Sequence, residues 1–264
     1  MICDYHVHSY FSADSKTPPA LQLHQAELVG LDEICFTEHV EYEFHRGDWH
    51  ADLDRCKQEL RALTSSVVFK TGAEVGLSCS EQNLEKIKCE IESAELDFVL
   101  VSLHELDNGD PMQETFFSGK NLLQLTQQYY RTLFDRICLF GPKFMSSVAH
   151  IDYLSKGFGC SNYPMGKVSY FYAPDEIDAI FKWIIENGKC LEINTSTWTT
   201  QDAPSLDWLE RYAELGGEAV TFGSDAHRAD VLGRRLIEAK EYAKSCGLMW
   251  FATFDKMEPI YHRI

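Results

Sequence analysis

Seven short runs of apolar residues recur along the chain, and segments with helical spacing separate them. The runs are rich in β-branched and aromatic residues and cover residues 2–5, 33–37, 67–73, 97–103, 145–149, 189–194 and 219–223. Most are apolar without interruption, which is typical of parallel strands that are buried on both faces. The alternation predicts an α/β fold of the barrel type. At 264 residues, one domain over residues 1–264 is expected.

The connections between these elements differ in length at the two ends of the strands. Turns from helix to strand are brief, whereas the strand-to-helix segments 105–120 and 151–173 are long. In α/β barrels, the loops that follow the strands form the face that carries the chemistry. The sequence therefore predicts a site at this face, although each long loop alone also fits an idle surface insertion. Thr17 before Pro18 predicts the cap and first residue of the first helix.

Histidines accumulate at the ends of the predicted strands. The chain has ten, and the following lie at or just after a strand: His6, His8, His39, His104, His150 and His227. Carboxylates stand at equivalent places, namely Asp14, Glu38, Glu74 and Asp225. One such histidine is more often a hydrogen-bonded structural residue, but the whole set favours a metal centre. Glu38 fits a ligand, a residue behind the ligands, or a polar strand end.

Two short motifs at opposite ends of the chain strengthen the metal hypothesis. In His6-Val7-His8, strand alternation puts both imidazoles on one face, and Asp225-Ala226-His227 repeats the arrangement with one carboxylate. Gly223, followed by Ser224, is expected to let the backbone turn tightly before the second motif. A carboxylate such as Glu74 can bridge two cations.

The formal net charge of −17 repels polyanions and anionic lipid, so we expect a small-molecule substrate, no nucleic acid and no membrane partner.

Nine cysteines without C-x-x-C pairs favour buried thiols over a disulfide framework. The amino terminus lacks the features of a signal peptide, and a cytoplasmic location is expected. Dinucleotide-binding, P-loop and nucleophile-elbow motifs are absent from the sequence. Oligomeric state stays open.

The motifs together resemble the polymerase and histidinol phosphatase (PHP) superfamily. The matching segments are His6-x-His8, Thr37-Glu38-His39, Glu74 in Thr71-Gly72-Ala73-Glu74, His104 in Val101-Ser102-Leu103-His104, and Gly223-Ser224-Asp225-Ala226-His227. Two further segments, Ala149-His150-Ile151-Asp152 and Glu192-Ile193-Asn194-Thr195-Ser196, are similar to the stand-alone histidinol-phosphate phosphatases. The resemblance implies a distorted seven-stranded (β/α)7 TIM-like barrel, with two to three divalent zinc, iron or manganese ions at the carboxyl ends of the strands.

Carried onto this sequence, the resemblance implies three metal positions. The first takes His6, His8, Glu74 and Asp225, the second takes Asp14, His39 and His227, and the third takes Glu74, His104 and His150. Asp14, Asp225 and His227 are expected to take part in catalysis. The implied reaction is hydrolysis of a phosphate monoester, L-histidinol phosphate, by water that the metals activate. The alternatives are another small-molecule phosphatase or phosphodiesterase of the superfamily, a nuclease module, or an inactive metal-binding scaffold.

Substrate contacts are less constrained by the sequence. The candidates are Lys156, Arg228, His45 and Arg46, and each of them also fits plain solvated surface. The resemblance predicts a basic residue soon after Ser196, but residues 197–200 contain none. Aromatic residues of the long loops are candidates to close over an imidazole ring, or else pack the loops onto the barrel. They are Phe116, Phe117, Phe158, Tyr163, Tyr170 and Tyr172.

Overall fold

Ten strands lie in one sheet in the computed structural model, which describes residues 1–45, 47, 49–107, 109–113, 115–160, 169–196, 198 and 206–264. The strands are Cys3–Val7 (β1), Glu33–Glu41 (β2), Trp49–His50 (β3), Val68–Gly76 (β4), Phe98–Ser102 (β5), Ser147–Val148 (β6), Cys190–Asn194 (β7), Ala219–Gly223 (β8), Trp250–Asp255 (β9) and Glu258–Arg263 (β10). The α-helices are Pro19–Val29 (α1), Leu53–Arg61 (α2), Glu81–Ala94 (α3), Leu122–Phe140 (α4), Tyr153–Cys160 (α5), Pro174–Glu186 (α6), Leu206–Glu214 (α7) and Leu236–Ser245 (α8).

The sheet is parallel over most of its width. Its order is β1-β2-β4-β5-β6-β7-β8-β9-β10, in which only the β9–β10 pair is antiparallel, and β3 adds antiparallel to β2. The first strand also returns to the segment after β8, because the Ala226 N–H donates to the His6 carbonyl at 3.3 Å and the His8 N–H donates to the Ala226 carbonyl at 3.0 Å. The predicted α/β fold around a central sheet is confirmed.

Each of the seven predicted apolar runs overlaps a strand, but the structure adds β3, β9 and β10. The hairpin of β9 and β10 turns at Lys256 and Met257, whose φ angles are 51° and 68°. Such turns usually carry Asn-Gly or Asp-Gly. Because neither residue is of that kind, the sequence gives no hairpin signal here.

The hairpin contributes to the core rather than extending from it. Phe254 of β9 packs 4.9 Å from Phe98 of β5, which in turn packs edge-on against Tyr5 of β1 at 5.0 Å between ring centroids. The Tyr5 hydroxyl accepts a hydrogen bond of 2.8 Å from the Phe254 backbone N–H. The aromatic cluster therefore ties the first and ninth strands together beneath the functional residues of β1.

The prediction for the start of the first helix was wrong by one residue. Pro18 is the N-cap in an extended conformation and Pro19 is the first helical residue, so Thr17 caps nothing. The Thr17 hydroxyl instead donates to the His227 carbonyl at 3.0 Å. Among the helices within the described ranges, none has the length and apolar character needed to cross a membrane.

Candidate metal centre

All nine residues predicted as metal ligands lie in one cluster at the carboxyl ends of the strands. Glu74 stands next to His39, because the two residues are register partners across β4 and β2. His104 and His150 follow β5 and β6, and the His6 and Asp225 motifs meet where β1 approaches the end of β8. The convergence follows from the fold, since parallel strands end at one edge of their sheet.

Glu74 lies at the centre of the cluster, with its two carboxylate oxygens directed at different imidazoles. Oε1 lies 3.1 Å from Nε2 of His104 and 2.8 Å from Nε2 of His150. Oε2 lies 3.1 Å from Nε2 of His6 and 3.4 Å from Nε2 of His8. A carboxylate placed in this way can bind one cation through each oxygen.

A second group of ligand atoms surrounds Asp14. Its Oδ2 atom lies 2.8 Å from Nε2 of His227 and 3.6 Å from Nε2 of His39. The His8 ring stacks between these two imidazoles, with centroid distances of 4.2 Å to His227 and 4.4 Å to His39. Asp14 therefore joins the loop after β1 to the histidines of β2 and of the segment after β8.

Asp225 completes the inner face of the cluster, where its Oδ1 atom lies 3.5 Å from Nε2 of both His6 and His8. Asp225 itself has the left-handed conformation, with φ of 54°. The expectation that Gly223 provides the turn was wrong, because the positive φ falls two residues later. Gly223 provides space instead: a Cβ atom there would lie 2.2 Å from Oε1 of Glu192 and 2.5 Å from Cβ of His6.

Several buried imidazole nitrogens of the cluster make no hydrogen bond of acceptable geometry among the described residues, although carboxylate oxygens lie near them. They are Nε2 of His6, His8 and His227, and both ring nitrogens of His39. Buried polar atoms are rarely left without a partner, and an absent ion is one explanation. Three histidines, or two histidines with Glu74, approach closely enough to share an ion. The donor set of imidazole nitrogen and carboxylate oxygen thus fits zinc, iron or manganese.

A further layer of polar residues holds the opposite nitrogens of these rings. Nδ1 of His6 lies 2.7 Å from Oε1 of Glu192, and Nδ1 of His104 lies 2.7 Å from Oε1 of Glu41. The sequence reasoning assigned no role to either glutamate, although Glu192 lies in one of the matching segments. Strand alternation could have found Glu41, because it follows His39 by two positions on β2.

Glu38 lies behind the cluster and reaches it through a serine. Its carboxylate accepts hydrogen bonds from the Ser9 hydroxyl and the Ser12 hydroxyl, both at 2.5 Å. The Ser12 hydroxyl in turn lies 3.1 Å from Nδ1 of His8. Of the roles that the sequence left open for Glu38, this position fits the one behind the ligands.

The electrostatic environment keeps the central carboxylates ionised. Burial raises the pKa of Glu74, but the charges of His6 and His104 outweigh burial and hold its pKa well below the usual value. Burial lowers the pKa of His104, but the charges of Glu41 and Glu74 raise it to about 10. Burial, together with the charge of Lys156, lowers the pKa of His150 to about 4. The cluster therefore offers anionic oxygens to a cation.

A cavity of about 310 Å³ opens onto the cluster. Beside the predicted ligands, it is lined by Phe44, Trp49, Asp110, Met112, Tyr153 and Lys156. Tyr153 packs 4.9 Å from His104 and 5.0 Å from His150, and Trp49 packs 5.1 Å from His39. The volume is within the range of small-ligand pockets, roughly 300–1,000 Å³.

The four predicted substrate contacts have different surroundings. Lys156 lines the cavity, and its ammonium group donates to Oδ2 of Asp225. Arg228 lies outside the cavity and is 70% exposed, with its guanidinium paired to Asp230 at 2.8 Å. Nδ1 of His45 contacts Glu105 instead of the cavity. Arg46 is outside the described residues.

The described loop aromatics pack against the protein rather than lining the cavity. Phe116 and Phe117 are buried in the core, and the Tyr170 hydroxyl donates to Asp178 at 2.8 Å. Tyr172 is half-buried against the core. Tyr163, the side chain of residue 158, and residues 197, 199 and 200 are outside the described part of the chain. For the described residues, the loop aromatics therefore pack the loops onto the rest of the protein and do not close over the cavity.

The sequence matches the model of the PHP domain over residues 4–196. The chain belongs to the PHP domain family.

The sequence is also similar to proteins named as histidinol-phosphatases. A probable histidinol-phosphatase of Clostridium acetobutylicum is 31% identical over 94% of this chain and 95% of the relative. A histidinol-phosphatase of Lactococcus lactis is 29% identical over 97% of this chain and 95% of the relative. The crystal structure of histidinol phosphate phosphatase from Lactococcus lactis, complexed with zinc, L-histidinol and phosphate, matches with a TM-score of 0.87, 28% identity and 98% coverage of both chains.

Proposed function

We propose that this protein is a metal-dependent phosphatase that hydrolyses L-histidinol phosphate to L-histidinol and phosphate. The observation that carries the proposal is the buried cluster of histidines and carboxylates beneath a small cavity. The similar Lactococcus lactis protein binds zinc, L-histidinol and phosphate, and it aligns with 98% of this chain. The relatives' names support the same step of histidine biosynthesis.

Two to three divalent ions are proposed for the cluster. The first position takes His6, His8, Glu74 and Asp225, the second takes Asp14, His39 and His227, and the third takes Glu74, His104 and His150. Support for the first and third sets comes from Glu74, whose Oε2 atom lies near His6 and His8 and whose Oε1 atom lies near His104 and His150. Zinc, iron and manganese all suit such ligands, and supply in the cell decides among them.

When bound, the ions supply Lewis-acid chemistry that activates water and neutralises charge on the phosphate ester. The protein's residues hold and orient the reactants. Lys156 places an ammonium group in the cavity beside Asp225, where it can pair with a phosphate oxygen. Tyr153 and Trp49 pack on the ligand imidazoles and form apolar walls that limit access of water.

The cavity also suits the organic part of the substrate. Phe44 and Trp49 pack with tilted rings, 4.6 Å apart between centroids, on one wall and offer an aromatic surface to an imidazole ring. Asp110 lines the same cavity and can accept a hydrogen bond from an ammonium group. The formal net charge of −17 is compatible with a small cationic amine and opposes binding of a polyanion.

Finer features of the fold are part of the proposal. We infer one domain over residues 1–264, closed as a distorted seven-stranded barrel by the approach of β1 to the end of β8. A cytoplasmic location stays a prediction from the sequence, and so does the absence of a nucleic-acid partner.

A turnover screen tests the proposal. The purified protein is assayed with L-histidinol phosphate, phosphoethanolamine, a phosphodiester and single-stranded DNA, and metal content is measured on the same sample. We expect the highest kcat/KM with L-histidinol phosphate. More efficient hydrolysis of DNA or of the phosphodiester would reject the substrate assignment and leave the metal centre in place, whereas a metal-free, inactive protein after reconstitution would reject both.

A further inference from the structure

Two buried glutamates outside the predicted ligand set contact the imidazoles from behind. The side chains of Glu41 and Glu192 are 2% and 1% exposed. Glu41 accepts a hydrogen bond from Nδ1 of His104, and Glu192 accepts one from Nδ1 of His6, both at 2.7 Å. A buried carboxylate is costly unless polar partners surround it, so these positions call for an explanation.

Each glutamate also reaches a second residue of the cluster. Oε1 of Glu41 lies 3.1 Å from Nδ1 of His39. Oε2 of Glu192 accepts a hydrogen bond of 2.7 Å from the backbone N–H of His150. Each carboxylate therefore links two different strand ends.

The contacts leave the opposite ring nitrogens directed at the centre. Nε2 of His6 and Nε2 of His104 both lie 3.1 Å from the carboxylate of Glu74. In metal sites, a carboxylate that binds the remote nitrogen of a histidine fixes its tautomer and orientation and raises its basicity as a ligand. Glu41 and Glu192 have the geometry for this role.

Two glycines make room for these carboxylates. A Cβ atom on Gly76 would lie 2.2 Å from Oε2 of Glu41, and a Cβ atom on Gly223 would lie 2.2 Å from Oε1 of Glu192. Real Cβ atoms do not approach oxygen so closely, so any side chain would displace the glutamate. Neither glycine has a positive φ, and space is therefore the reason for glycine at both positions.

We propose that Glu41 and Glu192 are positioning residues of the metal centre, and that Gly76 and Gly223 leave the space that the two glutamate side chains occupy. Glu41 holds His104 and His39, and Glu192 holds His6 and the backbone of His150. The inference rests on the proposed metal centre, because it concerns how the ligands are held before an ion binds.

Metal affinity of the apoprotein is the first test. Glu41→Gln and Glu192→Gln keep the size of the side chain and one oxygen acceptor but remove the charge. Titration of each apoprotein with Zn²⁺ and with Mn²⁺ should give dissociation constants about 10-fold to 100-fold above wild type. The melting temperature of each apoprotein is measured alongside, because a merely structural role would lower that temperature without changing metal affinity.

The glycines allow a second test in which every carboxylate is retained. Gly76→Ala should weaken metal binding by displacing Glu41. Gly72→Ala is the matched control on the same strand, since its Cβ atom would meet the Phe98 carbonyl at 2.7 Å and Cys35 Sγ at 2.9 Å but no glutamate. The control should lower the melting temperature and leave metal affinity at the wild-type value.

A double variant tests whether Gly76→Ala acts through Glu41. In Glu41→Ala, the space against residue 76 is empty, so adding Gly76→Ala should weaken metal binding no further. The role of the glutamates is overturned if both glutamine variants bind metal like wild type. The role of Gly76 in leaving space for Glu41 is overturned if Gly72→Ala weakens metal binding as much as Gly76→Ala does. It is also overturned if the double variant shows two additive losses of metal affinity. A wild-type protein that binds no metal would remove the proposed centre as well.

Discussion

The carboxylate of Asp14 lies 2.8 Å from Nε2 of His227 and joins the loop after β1 to the segment after β8. The hydroxyl groups of Ser15 and Thr17 also hold this loop, because both donate to the His227 carbonyl, at 2.8 Å and 3.0 Å. We therefore expect the loop to stay in place without the Asp14 side chain. Asp14 can therefore be substituted to test the proposed second metal position without releasing the loop.

Asp14→Ala should lower the metal content by about one equivalent, because a proposed ligand of the second position is lost while the loop is still held. Elemental analysis after reconstitution measures the change. Ser15→Ala is the control, since it removes a hydrogen bond of the same loop but no proposed ligand, and its metal content should equal that of wild type. Equal metal content in Asp14→Ala and wild type would show that Asp14 is not a ligand.

Asp225→Asn should lower kcat on a phosphate monoester by roughly 100-fold or more, because it removes the charge of a proposed ligand near His6 and His8. The fold should persist, since the asparagine keeps the size of the side chain. Steady-state kinetics and a thermal melt of the same preparation separate the two effects. Normal turnover with full metal occupancy would exclude Asp225 from the ligands.

Lys156 lines the cavity, whereas Arg228 is exposed outside it. Variants of the two residues therefore test whether the cavity binds the substrate phosphate. Lys156→Met should raise KM for the phosphate ester by roughly 10-fold to 100-fold, because a charged hydrogen bond contributes about 1.5–3 kcal/mol. Arg228→Met should change KM little, since its side chain is exposed and paired with Asp230 outside the cavity. Steady-state kinetics on both variants compares them directly. Equal effects of the two substitutions would place the phosphate elsewhere.

The strands that carry the site were predictable because each is a local apolar run. Cys190–Asn194 and Ala219–Gly223, for example, are buried throughout, so their sequences alone indicate strands. The β9–β10 hairpin escaped prediction because its turn at Lys256 and Met257 has positive φ angles without glycine or asparagine. The first helix begins at Pro19 because two successive prolines leave only the second one inside it.

The inner cluster was predictable for a related reason, since strand alternation and strand ends can be identified locally. Glu192 was not, because its role depends on His6, which is 186 positions away and meets it only through the register of the sheet. The same holds for Gly223, whose function is space for Glu192 rather than a turn. Long-range packing thus decides the roles of the residues behind the ligands.

Removal of metal should lower the melting temperature of the wild-type protein. The ions bind only the folded cluster, and a ligand at 100 times its dissociation constant stabilises the fold by about 2.7 kcal/mol. For a protein of this size the shift is roughly 5–10 °C. Calorimetry with and without a strong chelator measures it, and a chelator presaturated with metal is the control. An unchanged melting temperature would show that the cluster holds no ion that matters for folding.

Trp49→Ala should affect substrates with a ring more than substrates without one. Trp49 lines the cavity next to Phe44 and packs on His39, so its loss removes an aromatic wall that an imidazole ring can contact. Aromatic contacts contribute about 0.5–1.5 kcal/mol beyond burial of area, which corresponds to a loss of roughly 2-fold to 10-fold in kcat/KM for L-histidinol phosphate. Phosphoethanolamine has the amine and the phosphate but no ring, and it should lose less. If both substrates lose the same factor, Trp49 supports the ligand His39 rather than the substrate ring.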